Sequence, residues 1–303
     1  MSRYRRPLWL YPLFQIPALL LSAFLVIALL FALLGVGRSP VAVAIVLDLS
    51  PSTYDGQEFN APGTVMDREI QAVKAYLAKN TTAILSQPNQ IQIFGFAGGV
   101  RPLTQSFQDN NEQILNELTQ TLQPTLAEVL GGGTNLDLAI QEGTQALANV
   151  RDRCRELLLV TDGEATVNPL VIAEARTNLV KINAVVIGTE ALAIRAATFA
   201  TGGKYLSSDV NNLDVLFAER LFARFNSNWK WILLWLGLAW IALMWMLTMP
   251  LDRWIFQGLF KMPINFSGRL ALGNALFWTA ATPGILWGIY QLLNLGLPFI
   301  SRC

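Results

Sequence analysis

Residues 41–52 read VAVAIVLDLSPS. The first seven are all apolar, four of them β-branched, with no polar residue until Asp48. A strand with one solvated face alternates apolar and polar residues. An unbroken apolar run of strand length instead describes a strand covered on both faces, as in the centre of a parallel sheet. Similar runs follow at 91–96, 157–160 and 182–187. Helical periodicity occupies 66–79, 111–122, 135–150, 169–180 and 192–200, and a last helix at 213–225 leads toward the C-terminal apolar region. Strands alternating with helices of this length imply βαβ units, hence an α/β domain built on a doubly wound parallel sheet spanning 38–228.

The flanks of this block are of another kind. The chain has 303 residues, 53% hydrophobic and only 14% charged, against about 25% charged in an ordinary soluble protein. Residues 16–36 form an uncharged run of 21, apolar but for Ser22, and at roughly 1.5 Å per residue such a helix crosses a hydrocarbon core roughly 30 Å thick. A cleaved signal peptide is the competing reading. The run is longer than a usual signal core, though, and Arg38-Ser39-Pro40 follows it rather than a small-residue cleavage site. Residues 231–249 form a second span, with Trp at both ends where indole rings favour the interface. A third, within 270–300, is interrupted by Asn274, Thr279, Pro283, Gln291 and Asn294, and reads as a Pro-kinked span or a partly interfacial segment.

Charge orients these segments, because Lys and Arg in short flanks resist translocation. Arg3, Arg5 and Arg6 place residues 1–15 in the cytoplasm. Three crossings then put 38–228 on the periplasmic or lumenal side, the 250–269 loop inside and the C-terminus outside. That loop carries Arg253, Lys261 and Arg269 against the single acid Asp252, which supports the same orientation independently. Its Trp254, Ile255, Phe256, Leu259 and Phe260 suit a segment lying against lipid headgroups. The total charge of +1 is thus a cancellation: residues 38–228 carry 14 Lys and Arg against 20 Asp and Glu, a net −6, and the remainder a net +7. The two cysteines, Cys154 and Cys303, fall on the same side, which permits a disulfide, yet they read more readily as two unrelated thiols, since sequence carries no distance.

In a doubly wound sheet the working site lies beyond the carboxyl ends of the strands, where strand order reverses. Past the first strand stand Asp48, Ser50 and Ser52. Past 157–160 comes Thr161-Asp162-Gly163-Glu164, and Gly131-Gly132-Gly133-Thr134-Asn135 opens a helix between them. Asp48, Ser50, Ser52, Thr134 and Asp162 are hard oxygen donors. With two carboxylates among hydroxyls they suit a divalent cation, Mg²⁺ foremost, with Mn²⁺ and Ca²⁺ as alternatives. Alternation along an extended D-x-S-x-S would turn its three side chains to one side. Asp55, Asp137 and Glu164 are candidates for supporting positions around the ion, with loop and helix-start roles as the competing explanation. Arg151, Arg153 and Arg155 read as a solvated basic loop. The chain contains no histidine, which removes Ser-His-Asp hydrolysis and HExxH zinc chemistry. Nothing in its charge supports nucleic-acid binding.

These residues together resemble a von Willebrand factor A domain with its metal-ion-dependent adhesion site, whose pattern is D-x-S-x-S, a later Thr and a later Asp. GGGTNLDLAI, LLLVTDGE and the closing 185–217 segment are similar to bacterial members, and the likeness extends over 41–226. It implies a Rossmann-like fold and no enzymatic activity. It also implies metal-dependent binding of a protein partner, which would supply an Asp or Glu carboxylate to the ion. Membrane-tethered relatives include the Bat type, associated with MoxR-type ATPases. This chain departs from that layout in having two apolar segments after the domain, and its orientation leaves a cytoplasmic ATPase only the 250–269 loop. The expected function is therefore a membrane-anchored binding module for envelope maintenance or membrane-complex assembly. The alternative is a structural subunit docked through its C-terminal helices, with Asn274, Thr279 and Gln291 facing neighbouring subunits and lipid around them.

Overall fold

A computed structural model describes residues 7–299 apart from 55, 81–86, 164–165, 189, 210–211, 294 and 296. The chain divides into two units, Ser39–Ser227 on the one hand and Met1–Arg38 with Asn228–Cys303 on the other.

The Ser39–Ser227 unit holds a six-stranded sheet: β1 (Val41–Asp48), β2 (Gln90–Phe96), β3 (Val100–Pro102), β4 (Cys154–Thr161), β5 (Val180–Ile187) and β6 (Tyr205–Ser208). Their order is β3-β2-β1-β4-β5-β6. All pairings are parallel except β2 with β3. The 41–47 run is central as its composition requires, and every residue of β1 is buried. Val41, Val43, Ile45 and Leu47 pack on one face with Met66, Ile70, Val73 and Leu77 of α2 (Val65–Lys79) and Phe217 and Leu221 of the closing helical stretch. Ala42, Ala44 and Val46 pack on the other with Leu136, Ala139, Ile140 and Leu147 of α5 (Leu136–Ala148), and with Ala175 and Ile194. These last two come from α6 (Pro169–Thr177) and α7 (Leu192–Thr201). Helices α3 (Asn111–Thr121) and α4 (Thr125–Leu130) complete the first layer.

The short antiparallel β3 has no counterpart in the sequence reading. It is a three-residue edge strand turned back by the Gly98-Gly99 bend, too short to show periodicity. The stretch 213–225 is helical as expected, with π-helical turns at Leu216–Leu221 between α8 (Leu213–Val215) and α9 (Phe222–Phe225). Arg153 and Arg155 depart from the solvated-loop reading. Arg153 Nη1 donates to Pro88 O at 2.7 Å, and Arg155 donates from Nε to Val150 O and from Nη1 to Asn178 O. They satisfy loop carbonyls at the amino end of the sheet. Cys154 is buried and is not a free thiol, against the reading of two unrelated thiols; Cys303 lies outside the described residues.

In the other unit, α1 (Pro12–Leu34) and the helix that runs from α10 (Trp229–Met246) through α11 (Thr248–Pro250) to Leu259 are long and apolar enough to cross a membrane. Both leave large apolar side chains uncovered, among them Leu19 at 71% and Leu33 at 72% exposure, and water is a poor solvent for surfaces of that kind. Phe24 and Phe31 of α1 meet Trp231 and Trp235 of α10 with ring centroids 5.9–6.2 Å apart. Asn228 Nδ2 donates to Phe31 O, which also accepts from Gly35 N–H, and to Val36 O just past the end of α1.

The segment expected as a loop from 250 stays helical to Leu259. Pro250 cannot supply an amide donor, and the chain continues past it in π-helical turns. Helix α12 (Ile264–Leu292) has 29 residues and contains Pro283. It packs on α10 through Leu286 against Gly237 and Trp278 against Trp240, and Trp245 Nε1 donates to Thr279 Oγ1 at 3.0 Å. Arg3, Arg5, Arg6, Asn294 and Ile300 lie outside the described residues.

Candidate metal centre

The chain leaves β1 to the left for β2 and returns on the right as β4, so strand order reverses between β1 and β4. At that switch point Asp48 ends β1 with no exposed surface, and Thr161 ends the neighbouring β4, also buried. Thr161 Oγ1 donates to Asp48 Oδ2 at 2.5 Å, and the Ser50 backbone N–H donates to Asp48 Oδ1 at 3.0 Å. Burial pushes the Asp48 carboxyl above its usual range, and the hydrogen bonds from Ser50 and Thr161 pull it part of the way back.

Ser50 and Ser52 are brought together differently from the sequence expectation. After Ser50 the chain stops being extended: Pro51 opens a single 3-10 turn, Pro51–Thr53, closed by Thr53 N–H and Oγ1, which both donate to Ser50 O. This turn, rather than strand alternation, sets Ser52 beside Ser50, with the two Oγ atoms 3.0 Å apart. Ser52 Oγ then donates to Asp162 Oδ1 at 3.1 Å across 110 residues of sequence. The set grades from a buried floor of Asp48, Ser50 and Thr161 to an exposed rim at Ser52, with Asp162 half-buried.

Thr134 arrives through a separate device. Gly99 N–H donates to Leu130 O at 2.7 Å and Asn135 N–H to Ala97 O at 2.8 Å, binding the turn after β2 to the loop before α5. The two backbones approach so closely that a Cβ on Gly98 would stand 2.4 Å from Gly132 O. Asn135 caps α5 by accepting from Leu138 N–H. The Thr134 methyl lies 3.9 Å from where a Cβ on Gly163 would be, so Thr134 borders the loop that carries Asp162.

Asp48, Ser50, Ser52 and Asp162 are therefore linked at one switch point, with Thr134 on the loop that borders Asp162. Of the three supporting candidates, Asp137 accepts from Asn168 N–H at 2.7 Å, which joins the start of α5 to the cap of α6 and accounts for its position without an ion. Asp55 and Glu164 lie outside the described residues. Among the described residues no three acids or thiols converge as a cluster. The donor set is thus two carboxylates among hydroxyls, which fits a hard cation that keeps part of its water shell.

The sequence reading missed one acid. Glu69 lies in α2 on the stripe formed by Met66, Ile70, Val73 and Leu77, a position where the 3.6-residue period calls for an apolar side chain. It is completely buried, and neither carboxylate oxygen has a hydrogen-bond partner of good geometry. Burial, with the Asp48 and Asp162 carboxylates nearby, pushes its carboxyl well above the usual range. The signal available in the sequence was an acid on the buried stripe of a helix.

A Rossmann-like α/β domain with an oxygen-donor site at its switch point is the class of protein these elements define. Residues 43–164 match the family model described as "von Willebrand factor type A domain", and that segment has the fold of such a domain. Among solved structures, a von Willebrand factor type A protein from Catenulispora acidiphila is similar over 62% of this chain with 15% identity and a TM-score of 0.50. The chain spans 43% of that protein's length. BatB from Bacteroides thetaiotaomicron is 14% identical over 61% of this chain and 99% of its own, with a TM-score of 0.46. The mussel byssus protein PTMP1, with a zinc-occupied MIDAS motif, is 15% identical over 62% of this chain and 48% of its own, with a TM-score of 0.47. No curated protein matches the sequence.

Proposed function

We propose that the chain is a membrane-anchored protein-binding module. Asp48, Ser50, Ser52, Thr134 and Asp162 hold a divalent cation, most readily Mg²⁺, and a partner protein is captured through an Asp or Glu that completes the ion's shell. The observation that carries this reading is the linked set of Asp48, Ser50, Ser52 and Asp162 at the switch point, buried at Asp48 and open at Ser52, with the Thr134 loop beside it. Two carboxylates only balance a doubly charged ion, so a position open to the outside still attracts an acidic group. The positive flanks support a cytoplasmic N-terminus and a domain on the periplasmic or lumenal side of a bacterial inner membrane or its equivalent. At roughly 1.5 Å per residue α12 is long enough for a third crossing. The role that fits is envelope maintenance or assembly of a membrane complex.

The alternative is a structural subunit docked through its C-terminal helices; of its polar residues, Thr279 and Asn274 meet Trp245 and Met244 of the same chain, while Gln291 is exposed. Crosslinking followed by recovery from membranes tests the proposal. A partner captured by the wild type is expected to be lost with Asp48→Ala and with EDTA, and equal recovery in all three sinks it. Catalysis has no part in this reading; hydrolysis by the purified chain with Mg²⁺ would contradict it.

A further inference from the structure

Beneath the site, Glu69 presents a fully buried carboxyl whose two oxygens are both without a hydrogen-bond partner. Such a group is costly in a protein interior: an unmade hydrogen bond costs about 1–3 kcal/mol, more for a charged group, and a Leu or Met would fill the same helix stripe at no such cost. Its charged neighbours are Asp48 and Asp162, the two acids of the cation site, and the Asp48 backbone N–H also lies beside it. An unpartnered carboxyl packed behind two further acids is a poor arrangement for a metal-free protein. It becomes a reasonable one when positive charge and acidic water protons lie between them.

We propose that Glu69 is a positioning residue of the cation site, its carboxylate accepting hydrogen bonds from the water shell of the bound ion behind Asp48. The inference rests on the cation-binding reading above and adds to it an acid that the D-x-S-x-S, Thr, Asp pattern does not contain. Because Glu69 does not join Asp48 and Asp162 in a close three-acid cluster, it acts through water rather than as a direct ligand. Water bound to a cation is a strong donor, and a carboxylate is its strongest protein acceptor. The arrangement favours ions that keep part of their hydration, as Mg²⁺ and Mn²⁺ do.

The test uses the full chain in detergent, with Mn²⁺ as probe and free Mn²⁺ read by electron paramagnetic resonance, beside thermal unfolding in EDTA. Glu69→Gln keeps the side-chain shape and removes the charge. The expected result is a Mn²⁺ Kd raised about 10–100-fold, the range typical of groups that orient a metal's ligands, with a midpoint in EDTA no lower than wild type. Should Glu69→Gln not fold, Glu69→Met is expected to fold in EDTA and to show the same loss. A Kd within twofold of wild type in a folded variant overturns the inference, and so does failure of both variants to fold, which would make Glu69 a folding determinant. A wild-type chain that binds no Mn²⁺ refutes the cation-binding reading itself and takes this inference with it, whereas wild-type binding with an indifferent Glu69→Gln leaves that reading intact.

Discussion

Gly98→Ala isolates the packing that brings Thr134 to the site. A Cβ at Gly98 would lie 2.4 Å from Gly132 O, whereas ordinary contacts begin near 3.4 Å, so the two backbones must part by about 1 Å. That movement stretches the bonds from Gly99 N–H to Leu130 O and from Asn135 N–H to Ala97 O, now 2.7 and 2.8 Å, beyond useful length. At about 0.5–1.5 kcal/mol for each bond the loss is about 1–3 kcal/mol, which matches the usual cost of overpacking. For a domain of this size the melting temperature should fall by about 2–4 °C per kcal/mol, hence by several degrees. Metal affinity should fall as well, because Thr134 lies on the displaced loop. Gly132→Ala is the control. It alters the same loop, but its Cβ would meet nothing within 4 Å and its φ is not positive, so it should melt as wild type or slightly higher. Thermal unfolding followed by circular dichroism, with and without Mg²⁺, compares the two. Equal midpoints for Gly98→Ala and Gly132→Ala would refute the argument that this close approach holds the site together.

If the site binds Mg²⁺, an excess of about 100 times Kd should stabilise the wild-type chain by about 2.7 kcal/mol, and Asp48→Asn should abolish the Mg²⁺-dependent shift; calorimetry with and without EDTA reads both. Asn228→Ala removes the donor to Phe31 O and Val36 O, and should lower the stability of the α1–α10 pair by about 1–3 kcal/mol, measurable as earlier unfolding in detergent. Glu117 accepts from Gln105 N–H and from the Gln108 and Gln113 side chains, and these bonds, the Gln105 one foremost, hold its carboxyl below the usual range. A depressed folded-state pKa means stabilisation that is complete above the unfolded-state value and is lost as pH falls through the folded one. Glu117→Gln should therefore make the acid limb of a stability–pH profile shallower while leaving its neutral plateau nearly in place.

Composition and pattern alone were enough for the doubly wound sheet. Val41–Leu47 carries no polar residue, and only burial on both faces makes that tolerable, so the centre of the sheet could be read directly. Asp48, Ser50, Ser52, Thr134 and Asp162 could be nominated because the residues just past strand ends are the ones a parallel sheet exposes at its switch point. The apolar flanks were equally legible, since length and hydropathy are properties of a segment by itself. The edge strand β3 and the π-helical turns after Pro250 were not, because each is a local response to packing or to a missing amide rather than a periodic pattern. The same holds for the floor of the site. Sequence spacing is one-dimensional, and only the folded chain shows that a turn at Pro51, not strand alternation, sets Ser52 beside Ser50, that Thr161, outside the pattern, joins Ser50 in donating to Asp48, and that Glu69, 21 residues downstream, lies buried where both site carboxylates act on its charge. Sequence chose the elements and the donor residues through their chemistry; tertiary packing chose which side chains meet and which carboxyl is left without a partner, because burial and distance arise only once the layers close on the sheet.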